Sequence, residues 1–124
     1  MSTNQAVRRV GMAKRYSEAA VFGGVVYLAG QVADKTAGQD IEAQTTEVLA
    51  MIDRVLAECG SSKAHLLRVE IYLADLDDYD GLNKVWDAWV VPGAAPPRAT
   101  VQATLARTGW RVEMVVTAAQ DGPA

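Results

Sequence analysis

Between Asp40 and Gly60 the apolar and small residues return every three or four positions, at Ile41, Thr45, Val48, Leu49, Ile52, Val55, Leu56 and Cys59. That spacing puts them on one face of an α-helix and fits no strand, so the chain needs a second layer to bury the stripe. Asp40 is placed to cap the start, and Gly60 stands where a left-handed residue closes such a helix.

The segments on either side change period. Before the helix, "AAVFGGVVYLAG" holds two β-rich runs around Gly23-Gly24, predicting strands over Ala19 to Phe22 and Val25 to Ala29 joined by a hairpin turn. After it, "SSKAHLL" predicts at most one helical turn. In "RVEIYLADL" Val69, Ile71 and Leu73 alternate with Arg68, Glu70 and Tyr72, the pattern of a strand with one face buried. Asp75, Asp77 and Asp78 favour the start of a second helix, whose stripe is Tyr79, Leu82, Val85, Trp86 and Trp89. Pro92, Gly93, Pro96 and Pro97 end it and hold the next residues extended. "RATVQATL" and "WRVEMVVTAA" supply the last two strands, joined around Thr108-Gly109.

The predicted order is β-β-α-β-α-β-β. Two helices and a mixed sheet fit an α+β fold of two layers with both helices on one face. Val26, Leu28, Tyr72 and Val115 are read as outward positions on the other face, and a face that apolar is normally covered. Self-association is the economical cover.

At 124 residues the chain is expected to form one domain over 1–124, with residues 1–15 a polar N-terminal segment. No run is long and apolar enough to cross a bilayer, and no signal peptide is evident, so the expected compartment is the cytoplasm with no membrane partner. The net charge of −3 and the lack of a basic stripe argue against a nucleic-acid partner. One His and one Cys are too few for a zinc site of the usual type, and neither a Gly-rich phosphate loop nor a serine nucleophile elbow is present. His65 reads as a surface residue and Cys59 as packing. Either Trp86 or Trp89 could line a cleft, although core packing is the default for both.

Two charged residues stand apart. Arg98 comes directly after a double proline that restricts its backbone, which suits a guanidinium presented as a bidentate clamp for a carboxylate. Glu113 lies in the apolar strand "VEMVV", where a carboxylate is costly to bury unless it is paired or has work to do. The two could pair with each other or serve a ligand; composition and periodicity leave both open.

The series "YSEAA", "VYLAGQV", "DIEAQTTEVLAMIDRVLAECGSS", "LLRVEIYLADLDDYDGLNKVWDAW", "APPRATVQA" and "RVEMVVTAA" resembles the RidA/YjgF family of reactive-intermediate deaminases from Tyr16 to Ala119. The resemblance implies a chorismate-mutase-like fold assembled as a homotrimer with clefts between subunits. It implies hydrolysis of enamine and imine intermediates, such as 2-aminoacrylate and other small 2-imino acids, to 2-oxo acids and ammonia, with neither metal nor cofactor. Carried over residue by residue, Arg98 binds the substrate carboxylate and Glu113 positions or activates water. Gly30 and Thr100 contact the ligand, and Tyr16 and Trp89 help wall the cleft. Ala29 and Thr100 stand where well-known members carry serine and cysteine; loss of the serine hydroxyl bears on substrate range and rate, and loss of the cysteine matters less if its backbone makes the contact. The alternative implied role is a carboxylate-binding trimer that regulates or protects a partner enzyme without turnover.

Overall fold

The computed structural model describes residues 6–121. Among these residues seven strands and two α-helices run β1 (Arg8–Met12), β2 (Ser17–Phe22), β3 (Val25–Leu28), β4 (Gln31–Val32), α1 (Ile41–Glu58), β5 (Leu66–Leu73), α2 (Tyr79–Trp89), β6 (Arg98–Gln102) and β7 (Val112–Ala119). Across the sheet the order is β1-β2-β3-β7-β5-β6, with the short β4 also paired to β7. β5 and β6 are parallel, joined by α2 as crossover, and the other pairs are antiparallel. The fold is therefore α+β, two helices packed on a mixed sheet.

Helix α1 forms as its pattern dictates. The Asp40 carboxylate accepts from the Ala43 N–H at 2.9 Å, satisfying a donor that the first helical turn leaves free. At the other end Gly60 has φ 74°, and the Gly60 and Ser61 amides bond back to the Ala57 and Leu56 carbonyls at 3.2 and 2.9 Å. This is the left-handed closure for which glycine is suited. Between the caps Val48, Leu49, Ile52, Val55 and Leu56 are buried, facing Val26, Val69, Ile71, Met114 and Val116 of the sheet in one continuous core.

The structure departs from the sequence expectation at β1 and at β3. Residues 8–12, expected within a polar N-terminal segment, form the edge strand β1; its residues are almost all exposed, so no alternation betrays it. Residues 1–5 of that segment lie outside the described residues. Val26 and Leu28, read as outward, are buried in the core. The Gly23-Gly24 turn sets the register Phe22 to Val25 and Val21 to Val26, so Val25 and Tyr27 take the outer face. Tyr72 and Val115 do point outward and are half-buried. With Phe22, Tyr27 and Val101 exposed, the outer face keeps a partly apolar character.

No helix among the described residues is long and apolar enough to cross a membrane. His65 is exposed, as expected, but its Nε2 lies 2.9 Å from the carboxylate of Asp121, a partner too distant in sequence to foresee. Cys59 is buried, and that burial pushes its thiol pKa up.

Candidate functional site

Arg98 opens β6. The Pro97 carbonyl accepts from the Val69 N–H at 3.1 Å, pinning the proline segment to β5 just before the arginine. The β5–β6 register sets Arg98 beside Val69 and Thr100 beside Ile71. Paired residues point the same way, so both side chains leave the sheet on its helix face. There α2 meets the guanidinium, which stands 5.1 Å from the Trp86 ring centroid and 5.9 Å from that of Tyr79. These are distances at which a ring face attracts a cation. Its Nη2 donates to the Tyr79 hydroxyl at 3.3 Å. No carboxylate among the described residues pairs with it, whereas Arg54, Arg68 and Arg111 each have an acidic partner. Leu76, Tyr79, Arg98 and Thr100 line a cleft of about 390 Å³. The buried Thr100 hydroxyl has no hydrogen-bond partner among the described residues.

Glu113 lies across the sheet from this group. It is opposite Tyr72 on β5 and Val32 on β4, while its neighbours Val112 and Met114 face the core. Alternation therefore sends its carboxylate to the outer face, where it rests against Gly30 so closely that a Cβ there would collide with it. Glycine at this position leaves the carboxylate where it is, and a larger residue would displace it. A second cleft, of about 470 Å³, is lined by Tyr16, Gly30 and Glu113 together with Ala29, Val32, Asp34, Arg107 and Trp110.

The sequence candidates thus separate into two groups on opposite faces. Arg98 and Thr100 share one cleft; Tyr16, Gly30 and Glu113 share the other. Direct pairing of Arg98 with Glu113 within one chain, left open by the sequence, does not occur. Trp89 joins neither group: its indole N–H donates to Asp53 at 3.0 Å and its ring lies 5.4 Å behind Trp86. Trp86 is the tryptophan that meets the arginine. Tyr79 was legible only as part of a stripe, and Arg107 and Trp110 only as neighbours of a turn.

Chemically, the first cleft offers a guanidinium with free donors and an unpartnered hydroxyl, which suits a carboxylate. The second offers a carboxylate at a half-dry wall beside a phenol, which suits proton transfer to or from water.

The family model described as endoribonuclease L-PSP matches residues 7–120. A RutC family protein of Haemophilus ducreyi is 42% identical over 113 residues, covering 91% of this chain and 96% of its own length. RutC family protein YoaB of Escherichia coli is 40% identical over 111 residues, covering 90% and 96%. Among solved structures, a member of the YjgF protein family from Neisseria meningitidis superposes with a TM-score of 0.88 at 49% identity, over 95% of this chain and 98% of that one.

Proposed function

Because the chain belongs to the RidA/YjgF family and has its chorismate-mutase-like fold, we propose that it hydrolyses 2-imino acids to 2-oxo acids and ammonia. The observation that carries this reading is Arg98: half-buried, held by Pro97, stacked on Trp86 and without an acidic partner among the described residues. A guanidinium so placed is preorganised for a carboxylate.

The reaction needs little else. The carbon of a protonated imine is electrophilic, so a water positioned above it adds, forming the C–O bond as the C=N π pair moves to nitrogen. Loss of a proton from the added water and collapse of the adduct break the C–N bond, giving C=O and ammonium. Arg98 fixes the carboxylate and hence the distance to the reacting carbon. Glu113 takes the proton from the attacking water and returns one to the departing nitrogen. The Thr100 hydroxyl is available to a ligand oxygen, Gly30 leaves room for the carboxylate of Glu113, and Tyr16 closes the wall.

A single chain sends Arg98 and Glu113 to opposite faces, so one working cleft takes them from two copies. A homotrimer with three such clefts satisfies this, and the partly apolar outer face supports that association. Although the family description names an endoribonuclease, the net charge of −3 is a poor match for a phosphate backbone.

The test couples a threonine dehydratase to the purified protein and tracks decay of the imine it releases. The wild type accelerates decay over buffer, and Arg98→Ala loses about 100-fold of that acceleration; no acceleration, or full activity in the variant, refutes the reading. The replacement of serine by Ala29 favours a second reading, ligand binding without turnover. Calorimetric binding of a 2-oxo acid with no hydrolysis of any imine would establish it.

A further inference from the structure

Arg107 and Trp110 occupy the first and fourth positions of the turn leading into β7, and the Trp110 amide closes the turn on the Arg107 carbonyl at 3.2 Å. Closure brings the side chains together, with the guanidinium 5.6 Å from the indole centroid. Gln44, wholly buried on α1, clamps the same turn. Its amide group donates to the Gly109 carbonyl at 2.9 Å, and its carbonyl accepts from the Arg111 N–H at 2.8 Å. The Gly38 amide adds a bond to the Gly109 carbonyl at 2.9 Å. An arginine carried on a turn held this firmly gives up little freedom on meeting a ligand. It lines the cleft of Glu113 and Gly30. Among the described residues it has no carboxylate within ion-pair distance, although Asp34 lines the same cleft.

We propose that Arg107 recognises a second, distal carboxylate, and that the preferred substrates are 2-imino acids with an acidic side chain. The inference rests on reading the paired clefts as an imine-hydrolysis site. With the 2-carboxylate on Arg98 and the reacting carbon at Glu113, the remaining cation of the second cleft is Arg107. An alkyl side chain leaves its donors to solvent, whereas a carboxylate takes two of them in parallel. Trp110 braces the guanidinium from one side. Asp34 acts against it and tempers the attraction.

The experiment supplies the intact protein with imines generated in place from aspartate, alanine and arginine by amino-acid oxidases of matching specificity, reading loss of semicarbazide-trappable imine. The expected kcat/KM for the aspartate imine is about tenfold above that for the alanine imine. Their ratio falls about tenfold in Arg107→Met, chiefly through KM, recovers in part in Arg107→Lys, and rises in Asp34→Asn. Preference for the alanine or arginine imine overturns the proposal. So does an equal loss on both substrates in Arg107→Met, the result if the arginine merely staples its turn. Calorimetry with dicarboxylic and monocarboxylic 2-oxo acids reads the same selectivity without turnover. Arg107-dependent preference for the dicarboxylate with no hydrolysis sustains Arg107 and removes the hydrolysis reading. Hydrolysis without that preference does the reverse.

Discussion

At Gly30 one added methyl group reaches the proposed chemistry directly. Its Cβ would land on the carboxylate of Glu113, whose Cδ would be only 2.9 Å away. The end of a glutamate can swing aside, so Gly30→Ala should cost about 1–3 kcal/mol at most, while turnover falls about tenfold or more as the carboxylate leaves its place. A thermal melt and an imine-decay assay on the same sample check this, and unchanged turnover would detach Glu113 from the chemistry. Much of the site was legible at this scale. Arg98 behind its prolines and Glu113 within an apolar strand are conspicuous because each is costly in a plain structural role. Their relation was not legible, because it depends on which face each strand presents. That depends in turn on pairing between residues far apart in sequence, Arg98 with Val69 and Glu113 with Tyr72. Nor could a stripe on α2 tell Trp86, which meets the arginine, from Trp89, which bonds to Asp53.

The elements that declared themselves are those long enough to show a period. α1, β5 and β7 extend over 18, 8 and 8 residues, and each buries one face. β4 has two residues, and β1 pairs around Gly11 at φ 65° with little burial, so neither leaves a pattern to read. The loop after β4 owes its order to α1. Glu47 accepts from the Lys35 and Thr36 amides at 3.0 and 2.8 Å and from the Thr36 hydroxyl at 2.6 Å. Burial alone raises the pKa of Glu47, but the Thr36 hydroxyl, both amides and the nearby Lys35 charge outweigh it and hold the value below the ordinary one. A depressed carboxyl pKa means that the unfolded chain binds the proton more readily. Its contribution to stability is thus complete above the unfolded value of about 4.3 and disappears as pH falls through the lower folded value. Denaturant titrations across that acid range should show a steeper loss of stability for the wild type than for Glu47→Gln; parallel curves would deny Glu47 this role.

For the molecule as a whole, placing Arg98 and Glu113 on opposite faces makes the proposed clefts a property of the assembly. Arg98→Ala and Glu113→Gln chains should each be inactive alone, yet co-expressed in equal amounts they should regain about a quarter of wild-type activity, since random mixing pairs an intact arginine with an intact glutamate in that fraction of clefts. Rate measurements on the mixed oligomers decide it; no recovery would mean that each cleft draws both groups from one chain. A consequence of another kind lies in strand order. β7 borders β3, β4 and β5 at the middle of the sheet, yet it comes after every other described element along the chain. During synthesis the β1–β3 meander and the β5–α2–β6 crossover emerge with no strand between them, and their apolar faces wait for Val112, Met114, Val116 and Ala118 to bridge them. Such distant pairings form late and leave surface open to wrong partners in the interval. A chain that ends between Gln102 and Arg111 therefore holds two unjoined halves, and a stop codon in that interval would release a sticky fragment instead of a smaller version of the protein.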